Sequence, residues 1–329
     1  MPDNLYAHFP FCRRKCSYCA LYSRAGASVG RREAYVRRLA SLIGAERPAS
    51  SVGLKTVYFG GGSPALCDLS VLKPVMSGLL GDTTEFTVEL HPLDVTEGKL
   101  AELADLGVNR ISMGVQSLDD ATLSAMGRGY TLAQAEAAFR LVKTRFDNAG
   151  IDLIVGYPGD PCNGFERLKN WGLRHCSVYS LQNERGLKHI PDDDWMLDRL
   201  REVAQFLKTI GLERYEISNY AVRGFECRHN LAVWRGEDYL GLGDGACGRI
   251  GLERTKSGRS ENVSRDFDEK ERRLFRLRTR EGLDAADNPE WVTVLGKHVK
   301  TGLVAQSGTV FKLTERGTEV CDSILGELV

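Results

Sequence analysis

YAHFPFCRRKCSYCAL, residues 6–21, decides how the rest of the chain is read. It places Cys12, Cys16 and Cys19 within eight residues of one another, just after a short apolar run. Three thiolates this close can hold a metal centre. A closed structural zinc site takes four tetrahedral ligands, whereas an iron–sulfur cluster held by three cysteines leaves one iron open to an exchangeable ligand. Three cysteines therefore point to an iron at which chemistry is done. The alternative is a zinc knuckle completed by His8 or a distant cysteine.

At 329 residues and 42% hydrophobic, the chain can bury one large core or two domains. Basic and acidic residues balance at 44 each, which gives no electrostatic case for nucleic acid. The six later cysteines, Cys67, Cys162, Cys176, Cys227, Cys247 and Cys321, follow no paired pattern, so reduced thiols in a cytoplasm are expected rather than a disulfide frame. No basic and apolar leader precedes the first β-rich run, and no apolar stretch approaches the ~20 residues that span a bilayer. The expected compartment is the cytoplasm, with no transmembrane segment.

Short β-rich runs alternate with helical stretches from residue 5 to about 181, the pattern of a parallel sheet with crossover helices. Strands are expected at 5–9, 56–59, 85–90, 110–114, 151–155 and 177–181. Helices are expected at 31–47, 69–80, 96–106, 119–126, 132–146 and 165–171, several opened by Ser, Thr or Asp caps. Six such units make an α/β fold, an open (β/α)6 partial barrel of the TIM type. Ligands gather at the carboxyl ends of such strands.

Candidate site residues fall at those ends. GGGSP, residues 60–64, follows the second strand, and three residues without side chains allow a ligand close to the backbone; a plain tight turn reads the same way. Glu89 stands in VELHP, Gln116 ends ISMGVQ, Arg128 stands in MGRGY, and Asp152 opens DLIVGYPGD. Each alone is also a solvated strand end or a helix cap. A carboxylate, an amide and a guanidinium on successive loops suit an amino acid ligand, with Arg for its carboxylate and Glu for an amine or a ribose hydroxyl.

The C-x-x-x-C-x-x-C loop with Tyr18 before its last cysteine resembles the cluster loop of the radical S-adenosylmethionine superfamily. Taken with VYFGGGSPALC, NRISMGVQSLDDATLSAMGR and DLIVGYPG, the chain resembles the HemN/HemW group of that superfamily over nearly its whole length. The resemblance implies a 4Fe-4S cluster on Cys12, Cys16 and Cys19. It implies S-adenosylmethionine contacted by Tyr6, Tyr18, Gly61, Gly62, Ser63, Glu89, Gln116, Arg128 and Asp152, and a cofactor cleaved by an electron to a 5′-deoxyadenosyl radical. No residue is singled out as catalytic.

That group contains an oxygen-independent coproporphyrinogen III oxidase and a heme chaperone. Leu21 stands where the oxidase has a fourth cysteine, and only a few residues precede the first strand. YEISNYAVRGFECRHNLAVWRGEDYLGLGDGACG, residues 215–248, is similar to the chaperone segment ending in H-N-x-x-Y-W, whose histidine is implicated in heme binding; its counterparts are His229, Asn230 and Trp234. Val233 replaces the usual Tyr and Cys247 the usual His, and a thiolate can also ligate heme iron. The resemblance thus implies a heme chaperone with an acceptor protein and an electron donor as partners. The alternative is a coproporphyrinogen oxidase or another tetrapyrrole-modifying radical enzyme. The expected division is a radical core at 1–190, an extension with the heme motif at 191–265, and a small winged-helix-like unit at 266–329. In that last unit the interspersed charges argue against a DNA-reading helix.

Overall fold

The computed structural model describes residues 2–46 and 53–329. Six parallel strands run through one sheet in sequence order: β1 Asn4–Phe9, β2 Leu54–Gly61, β3 Leu80–Leu90, β4 Arg110–Gln116, β5 Ala149–Val155 and β6 His175–Ser180. Side chains of a strand alternate between faces, and here the alternation separates two chemistries. Leu5, Ala7 and Phe9 of β1, Val57 and Phe59 of β2, and Phe86 and Val88 of β3 are all buried in one apolar core. The rings of Phe9 and Phe59 are 5.1 Å apart and those of Phe59 and Phe86 4.8 Å apart, a tilted and edge-to-face row. Each such phenyl contributes about 1.5–3 kcal/mol of burial.

The opposite parity carries Asn4, Tyr6 and His8, then Thr56 and Tyr58, then Glu85, Thr87 and Glu89, then Arg110 and Ser112, then Asp152 and finally His175 and Ser177. A parallel sheet covered by helices on both faces would be apolar on both. One polar face therefore marks a lumen.

Five helices longer than six residues flank the strands: α1 Val29–Glu46, α2 Glu97–Asp105, α3 Asp120–Met126, α4 Leu132–Lys143 and α5 Asp193–Thr209. Thr96, Asp119, Thr131 and Asp192 cap the last four by accepting from a backbone amide three residues on. Two expected helices shrink. In place of 69–80 there is a turn at Ser70–Leu72 and one α-turn at Lys73–Met76, because Pro74 allows only the start of a helix and Leu80 already pairs with Leu54 as strand. In place of 165–171 there is a 3-10 segment, Phe165–Asn170, pinched between left-handed Gly164 and Gly172. Residue 47 of the first expected helix lies outside the described residues.

The sheet extends beyond the six units. β7 Glu213–Arg214 and β8 Asn219–Ala221 continue it antiparallel from β6, and β9 Leu240–Leu242 lies parallel beside β1. Nine strands thus stand in the order β9-β1-β2-β3-β4-β5-β6-β8-β7. The apolar core that begins at Leu5 also takes in Val203, Leu207, Tyr220 and Leu242. α6 Arg228–Trp234 precedes β9, and β10 Cys247–Ile250, β11 Glu253–Lys256 and β12 Arg259–Asn262 follow as an antiparallel sheet.

After α7 Arg265–Arg276, a second core gathers Leu277, Trp291, Leu295, Phe311 and Ile324. It is built from β13 Leu283–Asp284, α8 Pro289–Lys300, the hairpin of β14 Val304–Ser307 and β15 Val310–Leu313, and two short helices, α9 Glu315–Thr318 and α10 Cys321–Gly326. β13 and α8 add a strand and a helix to the expected order of helix, hairpin, helix. Asn288 caps α8 at Trp291 and Pro289 occupies its first turn.

Candidate functional site

The three cysteines leave β1 on a loop at the carboxyl end of the sheet, half-buried, with all nine thiols free. The loop is held from several sides. Ser17 N donates to Met126 O at 3.2 Å, Lys15 Nζ to Leu21 O at 2.5 Å, and Arg13 Nε to Asp94 Oδ1 at 2.5 Å. Arg128 Nη1 lies 3.5 Å from Cys16 Sγ and 3.3 Å from Tyr18 Oη. Burial and the neighbouring Cys19 and Cys16 push the Cys12 thiol up, against a hydrogen bond from Ser23. Among the described residues no three His, Cys, Asp or Glu side chains converge on a point one ion could occupy. His8 is committed to Tyr6 Oη at 2.9 Å and Tyr22 O at 2.8 Å. A single zinc needs converging ligands. A cubane spreads its cysteines over different irons, and this loop suits it: three accessible thiols with one guanidinium beside them to offset the charge.

The glycine tract is a packing joint. Gly62 N donates to Phe9 O at 2.7 Å, Ser63 N to Phe11 O at 2.7 Å, and Gly61 N to Glu89 Oε2 at 3.0 Å. A Cβ on Gly62 would sit 2.4 Å from Phe11 O, and Gly61, at φ +108°, lies against the His8 ring. With its amides used inside the protein, the turn has only carbonyl oxygens to offer, which suit a cationic amino group. Ser63 Oγ donates to Asp94 Oδ2 at 2.5 Å, so Asp94 ties the glycine turn to Arg13 of the cysteine loop.

Glu89 accepts from Tyr58 Oη at 2.8 Å besides Gly61. Burial and the nearby Asp152 nevertheless push its carboxyl up to about 7. Asp152 is raised as well, by burial, against hydrogen bonds from Ser177 and Ser112, whose Oγ is 3.0 Å from Oδ1. Gln116 ends β4 at φ +75°, next to a shift in register with β5, and its amide folds back over Gly114. A left-handed residue that is not glycine costs on the order of 1 kcal/mol and is retained where the surroundings over-determine it. Arg128 is buried and spends its donors on Gly114 O at 2.6 Å and Tyr130 Oη at 2.9 Å as well as on the cysteine loop. Glu89 and Gln116 thus stand at the ends of neighbouring strands, Tyr18 and Arg128 on loops beyond those ends, and Tyr6 and Asp152 within β1 and β5 on the polar face.

The raised Glu89 carboxyl sets a pH dependence. Its pKa in the fold, about 7, is above its ordinary 4.5, so the folded state holds a proton that the unfolded chain gives up. The stabilisation is complete below 4.5 and is lost as pH rises through 7, on the order of 3 kcal/mol in all. Glu216 is raised to about 7 by its own burial and adds a slope of the same sign. Denaturant unfolding at pH 5 and pH 8 is expected to show the fall in the wild type and a smaller one in Glu89→Gln; an equal fall in both would show that Glu89 is not its source.

His229 is buried. α6 brings it to the lumen floor, 4% exposed, with Nδ1 2.8 Å from Thr56 Oγ1 and its amide donating to Glu85 Oε1 at 3.1 Å. The Tyr58 and Tyr6 rings lie 5.3 and 6.3 Å away and Tyr239 meets it edge-on at 6.1 Å. Burial and Arg110 push this imidazole down to about 3, so it is neutral. Nδ1 ties α6 to β2 and the backbone amide ties it to β3. Trp234 packs edge-on against Phe275 at 5.7 Å. Cys247, by contrast, is exposed. Tyr58, Ser112 and Asp94 were missed as site residues; the polar parity of the strands was the available signal for the first two.

A barrel mouth ringed by three free thiols, a glycine turn and a carboxylate defines a class, and the comparisons agree. The model of the radical SAM superfamily matches residues 6–171. The heme chaperone HemW of Lactococcus lactis is 34% identical over 278 residues, covering 78% of this chain and 72% of that one. That of Escherichia coli is 28% identical over 368 residues, covering 98% and 97%. The chain belongs to the radical SAM superfamily and, within it, to the HemW-like group. The solved coproporphyrinogen III oxidase HemN of Escherichia coli shares the fold, with a TM-score of 0.83 at 20% identity over 99% of this chain and 89% of that one. Membership implies a 4Fe-4S cluster and S-adenosylmethionine.

Proposed function

We propose that this protein is a heme chaperone built on radical SAM machinery: it holds heme and passes it to an acceptor protein in the cytoplasm. The observation that carries this reading is the similarity to proteins named as heme chaperones along nearly the whole chain. At 20% identity the oxidase lends its fold alone, and Leu21, where the oxidase has a cysteine, is 56% exposed. Anaerobic titration with heme is expected to give a saturable change in the Soret band at one heme per chain. Absence of saturable binding would refute the reading.

Cys12, Cys16 and Cys19 would hold the cluster, which when bound would supply the electron for chemistry on S-adenosylmethionine. The Gly61 and Gly62 turn and Glu89 would face the amino group and ribose, while Arg128 neutralises charge at Cys16. Tyr6, Tyr18, Ser63, Gln116 and Asp152 would complete the wall by position.

The electron would enter over the cysteine loop. Residues 12–38 hold eight basic side chains and one acid, Glu33, in a chain balanced at 44 of each. Arg31 and Arg32 stand in the first turn of α1, where no acid offsets them and the helix dipole repels them. Arg14 and Arg31 have no carboxylate partner among the described residues, and exposed Leu21, Tyr22 and Val29 lie close to them in the chain. That surface suits an acidic one-electron carrier. Arg14→Glu with Arg31→Glu is expected to slow cluster reduction by an acidic flavoprotein about tenfold at low salt, with reduction by dithionite unchanged. An unchanged rate with the flavoprotein would exclude this face.

A further inference from the structure

A cavity of about 750 Å³ lies between the β10–β12 sheet and helices α6 and α7, outside the barrel mouth. Its apolar wall is Val233, Tyr239 and Phe275. Its size is that of a pocket for a ligand of several tens of atoms. Tyr239, which lines the cavity, also meets His229 of the lumen at 6.1 Å, so the cavity borders the lumen.

One row of side chains crosses this small sheet. Cys247 pairs in register with Lys256, and Lys256 with Arg259, on either side of the Ser257–Gly258 turn. Directly opposed residues share a face, and all three line the cavity. Two cations opposite each other destabilise a hairpin, and neither has a carboxylate partner among the described residues. The other bases nearby are consumed by the scaffold. Arg249 pairs with Glu271, Arg254 Nη2 reaches Asp268 at 2.5 Å and Glu271 at 2.9 Å, and Arg272 Nη2 reaches Asp238 at 2.7 Å. Lys256 and Arg259 therefore form an unneutralised pair at the cavity rim. The thiol stands one and two strand spacings from them, about 5 and 10 Å. Val233 and Cys247, the two departures from the resembling motif, face this same cavity.

We propose that this cavity seats a flat apolar tetrapyrrole, its iron bound by the Cys247 thiolate and its rim carboxylates by Lys256 and Arg259. The proposal rests on the heme reading above and places the seat outside the barrel mouth. It separates the thiol, which needs a metal, from the cations, which need only carboxylates.

The test uses the full chain with its cluster reconstituted, titrated anaerobically with heme and with metal-free protoporphyrin, in wild type, Cys247→Ser and Lys256→Glu with Arg259→Glu. Cys247→Ser is expected to weaken heme at least about tenfold and to remove the thiolate signature of the ferrous carbonyl band, leaving the metal-free porphyrin unchanged. The charge reversal is expected to weaken both ligands about tenfold. Heme bound by Cys247→Ser with wild-type affinity and spectrum would overturn this seat while leaving the chaperone reading intact. Failure of the wild type to bind heme would overturn both. Cluster absorbance and far-ultraviolet circular dichroism confirm that each variant is folded.

Discussion

Cys12→Ala, Cys16→Ala and Cys19→Ala together are expected to leave a folded chain that holds no cluster. The thiols are half-buried on a loop outside the apolar core, so their loss should cost within about 1 kcal/mol of stability. The loop's hydrogen bonds through Ser17, Lys15 and Arg13 do not involve sulfur. Reconstitution with iron and sulfide, followed by iron counting and absorbance, should give about four irons per wild-type chain and none retained by the variant. A variant that keeps its iron would move the metal centre away from this loop.

Gly62→Ala is expected to act in the opposite way, on the scaffold first. Its Cβ would meet Phe11 O at 2.4 Å and Phe9 O at 2.8 Å, both backbone atoms. Relief requires separating β2 from the segment that carries Cys12, breaking the hydrogen bonds that Gly62 N and Ser63 N donate to Phe9 O and Phe11 O. A cost of about 3 kcal/mol is expected, a large share of the 5–15 kcal/mol that holds a typical domain. Denaturant unfolding measures it directly. Gly98→Ala is the control, since nothing lies within 4 Å of that added carbon and the residue sits inside α2. Equal stabilities for the two variants would show that the glycine turn is not the joint described.

The six lumen strands were legible in sequence as short β-rich runs between helical stretches, a signal local to about six residues. Their ends were less so, since the polar LGDTT that begins β3 joins the sheet through Leu54. β9 was illegible: three residues, one of them Gly241, pair in parallel with β1, more than 230 residues away in sequence (Leu5 with Leu240), and nothing local records a pairing of that span. The cysteine loop was found from its spacing, and the glycine turn from its place after the second strand together with the family resemblance. The role of the glycines was not, because it depends on Phe9 and Phe11 carbonyls that only the fold brings near. His229 shows the same limit. Its motif marks it as special, but the Thr56 hydroxyl and Glu85 carboxylate that bury it come from strands far away in sequence.

The most direct test of the chaperone reading supplies the reconstituted protein, under reducing anaerobic conditions and with S-adenosylmethionine, with heme and an apo-heme acceptor in one reaction and with coproporphyrinogen III in another. Heme transfer is followed by the acceptor's Soret band and decarboxylated porphyrin by mass. A heme carrier transfers its bound heme to the acceptor and forms no decarboxylated product. Product that appears with the wild type and vanishes in the three-cysteine variant would contradict it and make the protein a tetrapyrrole-modifying enzyme.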